Sequence, residues 1–322
     1  MTDNKYIVTG GAGFIGSNIV LELNRRGAED IIIVDNLNSE AKKKNLEGLK
    51  YKTFASKEEF RKDFIQGKTP AVSAVFHMGA CSSTTETDEE YLKDNNYRYT
   101  RQLCEWATSQ NARFIYASSA ATYGDGANGY SDDQALIPTL KPMNPYGESK
   151  QMFDMWALDN GMLSKIAGIK FFNVYGPHEE HKGDMRSVVN KAYKQIKDTG
   201  EIRLFKSYKP EYRDGEQTRD FVYVKDAVNV CMFFHDNPSI SGIYNCGTGR
   251  ARTWTDLAKS VFTAMNIKPR IIFIDMPTEI RDMYQYHTEA DMKKLRSAGY
   301  GEEFTSIEDG AAAYIKNCLA KQ

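Results

Sequence analysis

No apolar run in this sequence approaches the roughly eighteen residues that a membrane-crossing helix needs, and neither a repeat nor a low-complexity tract is present. A secretory leader pattern is also missing. Charge of one sign is not in excess: the formal net charge is −1, so the basic footprint of a nucleic-acid-binding surface is absent. Cysteine is scarce and odd in number. The five residues Cys81, Cys104, Cys231, Cys246 and Cys318 contain no Cys-x-x-Cys, which argues against a disulfide framework and for reduced thiols. His178 and His181 lack the further ligands of a tetrahedral metal site. These absences lead to an expectation of a cytoplasmic globular chain with no metal, nucleic-acid partner or membrane association. At 322 residues it is long enough for a large core and a smaller lobe.

The residues that are present carry more information. Gly10-Gly11-Ala12-Gly13-Phe14-Ile15-Gly16 follows the β-type run Tyr6-Ile7-Val8-Thr9 and opens an apolar-periodic stretch with Ile15, Ile19 and Leu23. Strand, glycine turn and helix in that order suit a dinucleotide, whose pyrophosphate needs close backbone approach at Gly10, Gly13 and Gly16 and free N–H groups at a helix start. A second buried-strand run, Ile31 to Val34, ends in Asp35. A carboxylate there accepts from ribose hydroxyls and favours NAD, whereas Asn36 and the ammonium groups of Lys42, Lys43, Lys44 and Lys57 suit an added 2′-phosphate. The residues alone leave NAD and NADP open.

Tyr146 and Lys150 stand at i and i+4 in a stretch that Pro145 opens as a helix, so both project from one face. A tyrosine acting as a base near neutrality needs about three pKa units, or ~4 kcal/mol, of selective phenolate stabilisation. Neighbouring cations are expected to supply it. The run Arg113 to Ala117 reads as a strand ending in Ser118-Ser119, which places a hydroxyl where doubly wound sheets carry ligands. Glycine turn, strand-end serine and Tyr-x-x-x-Lys in this order point to a redox-active enzyme site.

At these motifs the chain resembles the extended short-chain dehydrogenase/reductase superfamily of nucleotide-sugar epimerases and dehydratases, and within it the ADP-heptose 6-epimerases. The segments that carry the resemblance are Val8 to Asn18, Gly79 to Glu86, Asp94 to Tyr97, Tyr116 to Gly124, Phe172 to Pro177, His181-Lys182-Gly183 and Arg219 to Val224. It implies a homo-oligomer, a pentamer by likeness, and inversion of a heptose C6 in an ADP-sugar, with transient oxidation and re-reduction by a bound NADP, for lipopolysaccharide inner-core supply. It assigns Tyr146 as one acid/base, Lys150 as the group that lowers its pKa and holds the nicotinamide ribose, Ser119 as the hydroxyl on the reacting oxygen, and Lys182 as a second acid/base. Two protonating groups suit an inversion, because the hydroxyl points opposite ways in the two epimers. For the cofactor the resemblance implies Phe14, Ile15, Asp35, Asn36, Lys42 and Lys57 on the adenosine side. Met78, Gly79, Ala80, Cys81, Ser82, Asn95, Val174 and Lys182 are implied towards the nicotinamide. For the nucleotide sugar it implies Ser119, Asn173, Asp184, Lys191, Phe205, Lys206, Ser207, Tyr208, Arg219 and Tyr284; a guanidinium such as Arg219 can bond two diphosphate oxygens at once.

Three departures fall in the sugar region: Asp184 in place of an expected serine, Lys191 in place of a histidine, and a stretch at 209–218 longer than the resemblance implies. Ala120 and Ala121 after Ser119 argue against a 4,6-dehydratase, which carries an acid there. A UDP-hexose 4-epimerase leaves Lys182 unexplained, and a non-catalytic NADP-binding regulator leaves the Tyr146–Lys150 pair unexplained. The alternation of strand runs at Tyr6 to Thr9, Ile31 to Val34, Ala74 to Met78, Phe114 to Ala117 and Ile166 to Phe172 with helical stretches predicts an α/β fold with a doubly wound parallel Rossmann sheet. We expect residues 1–172 and about 219–250 to form it, with Asp220 to Val224 and the following helix returning to the sheet. Residues from about 173–218 and 251–322 are expected to form a smaller α/β lobe over the sugar, with a polar helix around Ser187 to Lys197 and strands at Ile202 to Phe205 and Ile271 to Ile274.

Overall fold

The computed structural model describes residues 4–281 and 284–321; residues 1–3, 282, 283 and 322 lie outside the described residues. Short runs of β-branched and aromatic residues form the centre. Six strands come in chain order, β1 (Tyr6–Thr9), β2 (Ile31–Val34), β3 (Thr53–Ala55), β4 (Ala74–His77), β5 (Arg113–Ser119) and β6 (Ala167–Phe171), and Gly242–Cys246 is the seventh strand of their sheet. All pairs are parallel, in the order Gly242–Cys246, β6, β5, β4, β1, β2, β3. β1 is paired on both sides, with Tyr6 opposite both Ile31 and Ala74, so the order of strands reverses there. In such sheets ligands bind beyond the carboxyl ends of the strands at this reversal.

Both faces of the sheet are covered, which is why its strands read as continuous apolar runs. Ile19 and Leu23 of the helix Phe14–Arg25 and Val230 and Phe234 of the helix Val224–Asp236 pack on one face, joined by Leu295 and Tyr300. Phe60 and Phe64, Leu103, and Phe153 pack on the other, from the helices Lys57–Ile65, Tyr99–Ser109 and Pro145–Asp159. A third cluster, with Tyr175, Val189, Ile196, Phe221, Leu257, Phe262 and Tyr314, lies outside the sheet and reaches it through Phe14.

The outer strands β3 and Gly242–Cys246 do not stand out in the sequence, because one has three residues and the other mixes Gly, Asn and Cys with its apolar positions. One expectation is corrected. Phe221–Tyr223 does not rejoin the central sheet; it pairs with Asn173–Tyr175 in a separate parallel ladder. The chain changes partner just after β6, where Phe172 N–H donates to Cys246 O and Asn173 N–H to Asp220 O. The helix Val224–Asp236 that follows does pack on the sheet. In the outlying region Ile202–Phe205 pairs in parallel with Ile271–Ile274, beside the helix Val188–Thr199, and Arg219 pairs with Arg252 in an antiparallel bridge.

Candidate active site

The turn after β1 is built for close approach of a ligand. Gly10 has φ +65°, and a Cβ there would lie 2.7 Å from Gly79 N; one at Gly16 would lie 2.1 Å from Gly10 O. Gly13 starts the helix Phe14–Arg25 without a side-chain cap, so first-turn N–H groups stay available to an anion. Around this turn lies a cavity of about 530 Å³. Its walls include Gly10, Gly13, Phe14, Ile15, Gly16, Asp35, Asn36, Lys42, Lys57, Met78 to Ser82, Asn95, Ser119, Tyr146, Lys150, Asn173, Val174 and Lys182. These residues come from the ends of β1, β2, β4 and β5, from helices that follow them and from the segments after β6, so the topology unites positions far apart in sequence.

At one end of the cavity the Asp35 carboxylate is held by three donors. It accepts from Ala12 N–H at 3.0 Å, Asn36 N–H at 2.7 Å and Lys42 Nζ at 2.7 Å. Its charge is thereby balanced at the cavity edge. Lys57 Nζ donates to Asn95 Oδ1 at 2.9 Å.

At the other end three groups converge from two elements. Tyr146 and Lys150 lie on one face of the helix Pro145–Asp159, whose start Asn144 caps by accepting from Gly147 N–H. Lys150 Nζ donates to Ala117 O at 2.9 Å, and burial lowers its pKa to about 8. Burial pushes the Tyr146 phenol above the ordinary range, and Ser119 pulls it back. Lys150 points its hydrogen bond at the strand backbone and keeps its ammonium on the helix face that also carries the phenol.

Lys182 enters from a strap, Pro177 to Ser187, that crosses from the glycine turn to the helix Val188–Thr199. Its ammonium lies 5.5 Å from the centre of the Phe14 ring, and burial lowers its pKa while Glu179 raises it. The strap is held at its start, where Asn18 Nδ2 donates to Pro177 O at 3.1 Å, Asn45 Nδ2 donates to His178 O at 3.1 Å, and Ser17 Oγ meets His178 Nδ1 at 2.9 Å. These bonds hold His178 at φ +77°, a left-handed conformation costly for a residue with a side chain. Buried Glu179 closes the far end by accepting from the Ser187 hydroxyl and backbone N–H.

The remaining sugar-region residues do not line this cavity. Arg219, 7% exposed, lies between the rings of Trp254 and Tyr284 at 5.5 and 5.2 Å. Trp254 Nε1 donates to Tyr284 OH, and Phe205 meets the Tyr284 ring edge-on. Since Trp254 also lines the cavity, this cluster adjoins it. Burial lowers the Arg219 pKa, and its guanidinium donates to Thr218 O rather than to a carboxylate, so it suits an incoming anion. Lys206 and Tyr208 bond Asp275, while Ser207 N–H donates to Asp214. Asp184 and Lys191 are exposed and meet each other, Lys191 Nζ donating to Asp184 O, without facing the cavity. The longer stretch at 209–218 packs on Tyr286 through Lys209 and Tyr212. Sequence reasoning misses Trp254, because it comes beside Arg219 through tertiary pairing, the Arg219–Arg252 bridge and the bond of Trp254 N–H to Gln217 O among them. It also misses His181, which lines the cavity near Gly13 and has its pKa lowered to about 4, chiefly by burial.

Comparison with known proteins agrees with this geometry. Residues 6–247 match the model of the NAD dependent epimerase/dehydratase family. A protein of Nitratidesulfovibrio vulgaris strain DP4 named ADP-L-glycero-D-manno-heptose-6-epimerase is 55% identical over 98% of both chains. The crystal structure of the Helicobacter pylori protein of that name superposes with a TM-score of 0.82 at 28% identity, covering 99% of this chain and 97% of that one. A Thermus thermophilus UDP-glucose 4-epimerase in complex with NAD has the same fold, with a TM-score of 0.77 at 24% identity over 97% and 98% of the two chains. The strand order, the glycine cradle and these matches together establish that the chain belongs to the NAD-dependent epimerase/dehydratase family.

Proposed function

We propose that the protein inverts C6 of ADP-D-glycero-D-manno-heptose to give the L-glycero epimer, using a resident NADP. The observation that carries this reading is the convergence of Ser119, Tyr146, Lys150 and Lys182 on one cavity at the switch point of the sheet. The cradle at Gly10 and Gly16 and the uncapped helix start fit a pyrophosphate. When bound, the dinucleotide supplies removal of a hydride from a secondary alcohol and its return to the resulting ketone. Ser119 holds the reacting oxygen by hydrogen bonding. Tyr146 exchanges the proton of the hydroxyl in one epimer, and Lys182, entering from the strap, exchanges it in the other. Lys150, charged below about pH 8, orients the nicotinamide ribose.

Engagement of Asp35 with Lys42 supports NADP over NAD, because a carboxylate paired with an ammonium repels a 2′-phosphate less and leaves fewer acceptor sites to ribose hydroxyls. Arg219, with Trp254 and Tyr284, is our candidate for the ADP diphosphate. In this reading the Rossmann sheet holds NADP, the outlying segments hold the sugar nucleotide, and the product feeds lipopolysaccharide inner-core assembly from a cytoplasmic homo-oligomer.

The test offers the purified protein ADP-D-glycero-D-manno-heptose and UDP-glucose in parallel and follows product stereochemistry by NMR. Inversion at C6 of the first is expected, with loss of turnover in both Lys182→Met and Tyr146→Phe while dinucleotide binding survives. Conversion of UDP-glucose alone would transfer the assignment to a 4-epimerase. Full activity in Lys182→Met would remove that lysine from the chemistry.

A further inference from the structure

The end of β5 is joined to the catalytic helix at three consecutive residues. Tyr116 OH donates to Asp154 Oδ1 at 2.9 Å, Ala117 O accepts from Lys150 Nζ at 2.9 Å, and Ser118 Oγ donates to Asp154 Oδ2 at 2.7 Å; Ser119, the next residue, lines the cavity with Tyr146. Tyr146, Lys150 and Asp154 are spaced four apart, so one helix face carries the whole seam. Behind it Lys170 on β6 donates to Asp154 Oδ2 at 3.0 Å and to Thr122 Oγ1. The side chains of Asp154 and Lys170 are 0% and 1% exposed. A buried ion pair is a poor stability device, since apolar residues of similar volume commonly do as well. Its place under the site calls for another role.

We infer that Asp154 and Lys170 are positioning residues of the reaction: their buried ion pair fixes the register between the helix bearing Tyr146 and Lys150 and the strand end bearing Ser119. This rests on the reading of those three residues as the reacting site. A fully satisfied buried network of this kind holds one arrangement rigidly. Small displacements of reacting groups are costly to rate, so the seam acts on turnover more than on binding.

The pair also has an electrostatic consequence. The titratable groups facing Lys150 are Tyr146 and Asp154 on its own helix, His77 at the end of β4 and Cys81 in the loop after it, and the Lys170 ammonium on β6 meets Asp154 rather than Lys150. Burial keeps His77 neutral, with a pKa of about 3, and pushes the Tyr146 phenol and the Cys81 thiol up, so near neutrality Asp154 is the charged member of the four. Its carboxylate raises the Lys150 pKa against the lowering effect of burial. Removing that charge therefore makes Lys150 release its proton at lower pH.

The test is the double variant Asp154→Asn/Lys170→Met as holoenzyme, which removes both charges together and leaves neither buried alone. We expect kcat to fall roughly ten- to hundredfold with KM within about twofold. The alkaline limb of the kcat profile should move to lower pH, and so should the Lys150 midpoint read by 13Cε-lysine NMR. The NMR titration uses no sugar, so it stands even where ADP-heptose proves to be the wrong substrate; an inactive wild type would count against the functional reading alone. A second variant, Tyr116→Phe, removes one uncharged stitch and keeps both charges paired. It should lower kcat several-fold with dinucleotide affinity unchanged. Wild-type kcat and an unshifted Lys150 midpoint in the double variant would overturn the proposal, as would wild-type kcat in Tyr116→Phe.

Discussion

Single residues here act through the company they keep. Asp35 alone, at the end of a β2-type run, favours NAD; with Lys42 at 2.7 Å it becomes half of an ion pair at the cavity edge. Lys42→Ala has two consequences: one cation is lost from the adenosine end, and an unbalanced carboxylate is left facing any 2′-phosphate. NADP affinity should therefore fall about tenfold or more, equivalent to ~1.4 kcal/mol, with NAD affinity little changed. Calorimetric titration with both dinucleotides decides it, and an equal loss for the two would show that Lys42 serves the fold rather than the phosphate. The same dependence on neighbours holds for Lys150: its spacing four residues from Tyr146 puts both on one face, and the fold adds a partner the spacing does not show, Ala117 O.

At the level of elements, a hydrogen-bonded chain ties the cofactor loops together. Thr100 Oγ1 donates to Asn96 O at 2.6 Å, so it accepts from His77 Nε2; Thr9 Oγ1 accepts from Gly79 N–H and donates to His77 Nδ1 at 2.7 Å. The bond from Thr9 needs the neutral imidazole, whose Nδ1 accepts it, and burial holds the His77 pKa at about 3. Below pH 6.5 the unfolded chain takes up a proton that the folded histidine refuses. Stability from this group is thus complete above 6.5 and is lost as pH falls towards 3, by ~2 kcal/mol at pH 5. Urea unfolding at pH 7 and pH 5 should show that loss in the wild type and a smaller one in His77→Gln, while identical pH dependence in the two proteins would rule it out. None of this chain is visible in the sequence, where Thr9, His77 and Thr100 share no motif. The inner strands are legible there because burial on both faces makes most of their positions apolar, the polar exceptions such as His77 and Lys170 being buried with partners. The short edge strand Thr53–Ala55 is set by its pairing with β2 and carries no such mark.

Across the whole molecule, legibility follows the distance over which a contact acts. Glycine turn and Tyr-x-x-x-Lys are local and can be read directly, whereas Arg219, Trp254 and Tyr284 meet only after the outlying core has formed around Phe221 and Leu257. The strap Pro177 to Ser187 joins that core to the sheet: Asn18 and Asn45 hold its start to the glycine-turn side, and Ser187 caps the helix Val188–Thr199. Because Lys182 and His181 line the dinucleotide cavity from this strap, a ligand bound at the glycine turn should stabilise both regions together. Hydrogen exchange followed by mass spectrometry tests the coupling. On saturation with NADP, peptides covering 177–187 and 188–199 should slow by a factor comparable to those covering 10–25, and Asn45→Ala should reduce protection of the first two selectively. Protection confined to 10–25 would mean that the strap opens independently of the cofactor, and Lys182 would then reach the sugar by a motion of its own rather than from a preset position.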